Sequence, residues 1–234
     1  MTENTMIKDP FGVNVESFET LMEKRKVYVD KTGLIHDLIY GKGSEVPIFL
    51  SRPRRFGKTL LLDTIQTIFE GKRELFSGLE IGKLLGSKWE TFPVIRIPFN
   101  TITADPDQFK KSLFFGLKNI AFDADIALET DNPSNAISEL ISKLSKRHLT
   151  ASQANGANPN LLNKRNVVLL IDEYDFPLIG NIGSKTELES IRITLREFYS
   201  SIKGRSNFLR FVLITGITKF RQISLFSSMN TVCD

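Results

Sequence analysis

The chain has 234 residues, of which 41% are hydrophobic and 25% charged, and its formal net charge is +4. Such a length fits one α/β domain, or a domain with a small appendage, with enough chain to bury a core. A lone cysteine, Cys233, excludes a disulfide framework or a cysteine-built metal site within one chain, and the two histidines, His36 and His148, lack a second ligand at useful spacing.

The charge is too mild to argue for nucleic acid by itself. No run approaches the roughly 18 apolar residues of a membrane span. The polar start Met1-Thr2-Glu3-Asn4-Thr5 carries no apolar leader. The chain therefore reads as cytoplasmic, with no membrane partner.

Residues 1–45 read as a helical lead-in. Asp9-Pro10-Phe11-Gly12 predicts a turn. Ser17 predicts the cap of a short helix ending near Lys26, and Val27-Tyr28-Val29 is strand-like. A second helix starts at Asp30 or Thr32, carries Leu34, Ile35, Leu38 and Ile39 on one face, and stops near Gly41-Lys42-Gly43.

Residues 46–234 read as the core domain. Val46–Leu50 is a continuous apolar run, as in a strand buried on both faces. It leads into the basic turn Arg52-Pro53-Arg54-Arg55-Phe56, then Gly57-Lys58-Thr59, then a helix with Leu61, Ile65, Ile68 and Phe69 on one face, ending at Gly71. This is the strand–loop–helix context of a phosphate-binding loop. Gly57 lets backbone approach a phosphate, Lys58 reaches the β- and γ-phosphates, and the Thr59 hydroxyl completes a Mg²⁺ shell. The first glycine of G-x-x-x-x-G-K-[ST] is absent, since Arg52 stands there. A solvated basic turn is the plainer alternative.

Further on, Phe92–Asn100 predicts a strand whose two prolines favour an edge. Asp105-Pro106 predicts a cap and a helix carrying Phe109, Leu113, Leu117 and Ile120. Another helix carries Ile137, Leu140, Ile141 and Leu144, and Thr150–Asn166 has the composition of a loop. Val167–Ile171 predicts a strand running into Asp172-Glu173. Ser184-Lys185-Thr186-Glu187 is a capping box opening a long amphipathic helix with Leu188, Ile191, Leu195, Phe198, Tyr199 and Ile202. Arg210–Gly216 predicts the last strand.

Strands alternating with helices imply an α/β fold with a mostly parallel sheet. In such sheets ligands bind beyond the carboxyl ends of the strands. Gly57-Lys58-Thr59, Asp172-Glu173 and Thr215-Gly216 all follow apolar strands in that sense, so one site can collect them. Asp172 fits a Mg²⁺-holding carboxylate and Glu173 a group that polarises a water. Thr215 fits a γ-phosphate contact or, equally, a turn cap. Arg192 and Arg196, one turn apart on the long helix, fit a solvated face better than a role at a neighbouring subunit's nucleotide.

Several segments in order carry a resemblance: Phe11-Gly12-Val13, Tyr28-Val29-Asp30-Lys31-Thr32, Arg52–Thr59, Asp172-Glu173-Tyr174-Asp175-Phe176-Pro177 and Thr215-Gly216-Ile217-Thr218-Lys219-Phe220. Together they resemble the bacterial AAA-ATPase-like family of P-loop NTPases, in which the first loop glycine is typically absent. The resemblance implies an ASCE-type three-layer sandwich with a strand inserted between the two motif strands, a place that the run 92–100 suits. It implies ATP and Mg²⁺ as ligands. Arg54, Arg55, Phe56, Gly57, Lys58 and Thr59 would contact nucleotide, Thr59 and Asp172 the metal, and Glu173, Lys58 and Thr215 would be catalytic. A nucleotide-driven switch of this kind leaves room for a homo-oligomer, though the sequence does not give the oligomeric state. A further core strand and helical region would lie beyond Asp234, as would, often, a PD-(D/E)XK nuclease-like domain through which nucleic acid would be contacted; the chain thus reads as truncated. The expected function is an ATP-binding, ATP-hydrolysing switch. A non-catalytic interaction module that keeps the fold and a nucleic-acid-binding protein stay open as alternatives.

Overall fold

The computed structural model describes residues 17–41, 46–155 and 165–217. The predicted turn at residues 9–12, the segment at 11–13 and the stretch 218–220 lie outside them. The described residues form two units. One takes those up to Gly41 together with Gly57–Thr91, and the other takes residues 46–56 and those from Phe92 onward.

The first unit is helical: α1 (Phe18–Glu23), α2 (Thr32–Tyr40), α3 (Lys58–Glu70) and α4 (Glu80–Leu85), with short 3-10 turns after α3 and α4. Ser17 caps α1, its hydroxyl accepting the Thr20 amide at 3.2 Å. Both predicted starts of α2 act together. Asp30 Oδ1 accepts the Thr32 amide at 2.8 Å and its hydroxyl at 2.6 Å, while Asp30 Oδ2 accepts the Glu80 amide at 2.8 Å. One carboxylate thus fixes the starts of α2 and α4.

The buried face of α2 is Ile35 and Ile39, and Leu34 points out at 71% exposure. Residues 27–29 form no strand: Val27 and Val29 are exposed, and the Tyr28 ring lies edge-on to Phe18 at 5.3 Å. With one inward side chain, that segment is held by its tyrosine rather than by a ladder. Phe18 stacks on Phe76 at 4.7 Å, and the Trp89 indole N–H donates to the Ile68 carbonyl at 2.8 Å. Leu62, Ile65, Ile68 and Phe69 are the buried stripe of α3, which stops at Gly71 in the left-handed region.

The second unit holds β1 (Ile48–Ser51), β2 (Val94–Pro98), β3 (Val167–Asp172) and β4 (Leu209–Gly216), with α5 (Pro106–Asp123), α6 (Pro133–Ala154), α7 (Phe176–Ile179) and α8 (Lys185–Lys203). The strands are all parallel, in the order β1-β4-β3-β2. The fold is therefore α/β with an all-parallel sheet, as expected. Asp105 caps α5 through the amides of Asp107 and Gln108, with Pro106 in its first turn. Ser184 caps α8. Residues 150–154 extend α6 rather than opening a loop, because Ser and Ala tolerate a helix once Leu140, Ile141 and Leu144 anchor it.

Two strand expectations are corrected. The strand between β1 and β3 is β4, and the run 92–100 supplies β2 at the far edge of the sheet, as its prolines allow. β1 lies at the other edge, and all four of its residues are only half-buried. β3, second from the β2 edge, is buried along its whole length, so both its faces are covered.

On one face, Val167, Leu169 and Ile171 join Ile95, Ile97, Leu209, Val212 and Ile214 against Phe109, Leu113, Leu140, Ile191 and Leu195 of the helices. A bulge where β4 meets Val167 and Val168 skips Arg210, which brings Leu209 and Val212 to the same side. Among the described residues no helix is long and apolar enough to cross a membrane.

Candidate functional site

In a parallel sheet all the strands leave by the same rim, and the sequence places its polar motifs at those exits. β1 ends at Ser51. The Ser51 hydroxyl donates to the Ile217 carbonyl at 3.1 Å, and the Arg52 amide donates to the Gly216 carbonyl at 3.1 Å. The turn 52–56 is exposed, with Phe56 at 68%. Arg55 has φ 67° and Gly57 φ 73°, both left-handed. A Cβ on Gly57 would meet nothing within 4 Å, so the space beside it is open.

Gly57 is the N-cap of α3 and offers no side chain of its own to the first amides. Those amides carry the positive end of the helix dipole. Lys58 is buried at 6% exposure, unusual for a lysine, and Thr59 is half-buried. Gly57, Lys58 and Thr59 belong to the helical unit, and Arg54, Arg55 and Phe56 to the sheet unit.

Within the sheet unit the other predicted residues converge. Ile171 pairs with Ile214, so Asp172 and Thr215 are next along their strands. Asp172 is 3% exposed and Thr215 fully buried, and the Thr215 hydroxyl donates to Asp172 Oδ1 at 2.5 Å. Thr215 Oγ1 accepts the Glu173 amide at 3.4 Å, and its carbonyl accepts the Tyr174 amide at 3.0 Å. Glu173 has φ 51°, a left-handed conformation in which a residue with a Cβ is strained. A cavity of about 220 Å³ opens beside it, with Arg54, Glu173, Asp175, Phe176, Ile179 and Ile217 in its lining.

The sheet unit thus gathers Asp172, Glu173 and Thr215, with Arg54 at the same cavity. Asp175 and Gly216 stand in the motif segments, and the sequence assigns neither a task of its own. Asp175 is fully buried and accepts the Ile217 amide at 2.8 Å. Gly216 is close-packed: a Cβ there would lie 2.4 Å from Tyr174 Cε1. The signal for Asp175 was the unbroken run from Asp172 to Pro177, too polar for a strand and too apolar for a surface turn; that for Gly216 was its place beside Thr215 at the end of an apolar strand.

A family model described as "Predicted AAA-ATPase" matches residues 10–226. The chain belongs to this AAA-ATPase-like family. A curated protein of Azotobacter chroococcum mcd 1, described as an uncharacterized protein in the vnfD 5' region, is similar to it. The two are 33% identical over 234 residues, covering 98% of this chain and 41% of the relative, so the chain spans well under half of that protein's length. No solved structure matches the chain. In this AAA-ATPase-like chain the strand between β1 and β3 carries Thr215, the strand next to it ends at Asp172, and Glu173 follows directly.

Proposed function

We propose that the chain binds Mg²⁺·ATP and hydrolyses it, and that its role is a nucleotide-driven switch. The observation that carries this reading is the strand order β1-β4-β3-β2 with Thr215 bonded to Asp172 on the inserted strand. The order brings the exits of β1, β3 and β4 side by side on one rim, and the turn 52–56 leads directly into Gly57-Lys58-Thr59.

The donor set suits the metal. A carboxylate and a hydroxyl are hard oxygen ligands, and Mg²⁺ takes one or two such protein groups and keeps waters and phosphate oxygens. Asp172 and Thr59 would hold it. When bound, Mg²⁺ supplies charge neutralisation at the β- and γ-phosphate oxygens.

Lys58 would meet the same oxygens, and the α3 amides with Gly57 would cradle the phosphates. Arg54 and Arg55 would add positive charge at the mouth, and the exposed Phe56 ring an apolar face for the nucleoside. The Thr215 hydroxyl, by bonding Asp172, would fix that carboxylate's orientation. Glu173, which lines the cavity at the end of β3, would accept a hydrogen bond from the attacking water. Base preference for adenine comes from family membership alone.

Phosphate release under saturating Mg²⁺·ATP tests the reading. Turnover in the natural chain and a fall of about a hundredfold or more in Glu173→Gln, with nucleotide still bound, is expected for a general base. Tight binding with no turnover in the natural chain would make the protein a non-catalytic nucleotide-binding module instead.

A further inference from the structure

Asp175 takes no part in the proposed hydrolysis, and its surroundings differ from those of an ordinary helix-starting aspartate. It stands at the N-cap of α7, where an Asp usually accepts the amides of its own first turn. Its side chain makes no such bond. The carboxylate crosses instead to the exit of β4, where Oδ2 accepts the Ile217 amide at 2.8 Å. Asp175 is fully buried, and a carboxylate removed from water needs hydrogen bonds to stay there.

The same exit is held from both sides. The Tyr174 amide bonds the Thr215 carbonyl, and Gly216 is pressed against the Tyr174 ring, its would-be Cβ also 3.0 Å from Asp175 Oδ1. On the far side the Arg52 amide bonds the Gly216 carbonyl and the Ser51 hydroxyl bonds the Ile217 carbonyl. An unbroken series of hydrogen bonds therefore runs from the β3 exit through the β4 exit to the β1 exit. Behind it, burial first, then Tyr174 and the charge of Asp175, push the Tyr199 phenol well above its usual range, so it stays protonated.

We propose that Asp175 is a positioning residue. Its buried carboxylate clamps the β4 exit between the exit that carries Glu173 and the one that carries the basic turn, keeping Thr215, Glu173 and Arg54 at one spacing. The role rests on the Mg²⁺·ATP reading, since that spacing matters only if a phosphoryl group is read there.

Amide hydrogen exchange and turnover, measured on the whole chain as Asp175→Ala and Asp175→Asn, test it. In Asp175→Ala the Ile217 and Arg52 amides are expected to exchange about tenfold faster or more, as local opening becomes easier. In Asp175→Asn, whose amide oxygen still accepts the Ile217 N–H, they stay within about threefold of the natural chain. Turnover follows the same split: kcat falls about tenfold in the alanine variant with KM within about threefold, and asparagine restores it, as for a group that shapes the reacting geometry rather than binding.

Unchanged exchange in an alanine variant with native circular dichroism overturns the clamp. Faster exchange with full kcat overturns the positioning role. Should the alanine variant not fold, asparagine decides alone: kcat lost with exchange unchanged means that the charge acts and the bridge does not, which also overturns the proposal. A natural chain that neither binds nor turns over Mg²⁺·ATP fails the ATPase reading, and with it the positioning role, while the exchange result still decides the clamp.

Discussion

Two residues show how closely the strand exits are built. Gly216 is required by contact rather than by backbone angle, because the Tyr174 ring carbons would lie 2.4 and 2.7 Å from a Cβ there and Tyr174 is fully buried. Gly216→Ala is expected to cost about 1–3 kcal/mol, the usual penalty of overpacking. A urea midpoint unchanged by the substitution would contradict this packing.

Asp30 acts through charge. Burial raises its carboxyl, but hydrogen bonds from the Thr32 side chain and backbone and from the Glu80 amide, with the charge of Lys83, outweigh burial and hold it below the usual carboxylate range. A folded pKa lower than the unfolded one means stability that is present above the unfolded value, about 3.9, and lost as pH falls through the folded value. The stability gap between the natural chain and Asp30→Ala should therefore be full at neutral pH and narrow on acidification below about pH 4. A gap that stays constant down to pH 3 would show that the carboxylate's charge contributes nothing there.

At the scale of elements, the locally coded features were the legible ones. Ser17, Asp105 and Ser184 cap the helices they were expected to cap, because an N-cap needs only its own next three residues. The α5 cap accepts two amides, and Asp105→Ala is expected to lower stability by about 1 kcal/mol, read as a drop in melting temperature with an unchanged circular dichroism spectrum. An unchanged melting temperature would mean that the packing of Phe109, Leu113 and Leu117 alone sets the helix start.

Misread elements were those decided by distant partners. The run 27–29 alternates like a strand but has only Tyr28 turned inward, and β1 is apolar yet sits at a sheet edge. Neither periodicity nor composition encodes which strand lies beside which. For that reason β4 could be found as a strand without its insertion between β1 and β3 being foreseen.

At the scale of the whole molecule, the sequence made the candidate residues legible because each follows a strand. The geometry adds what spacing cannot carry. Thr215 and Asp172 lie 43 positions apart and share one short hydrogen bond, and Asp175, part of a sequence motif but given no task there, accepts the Ile217 amide at the β4 exit.

The central claim is that Lys58, at the start of α3, and Asp172, at the end of β3, act on one Mg²⁺·ATP. Equilibrium binding of a fluorescent ATP analogue with Mg²⁺, across the natural chain, Lys58→Ala, Asp172→Ala and the double variant, tests it most directly. Each single substitution is expected to weaken binding about tenfold or more, and the double variant far less than the product of the two, since groups sharing one ligand do not add. Losses that simply multiply, or binding indifferent to either substitution in folded protein, would contradict the claim that the two motifs form one site.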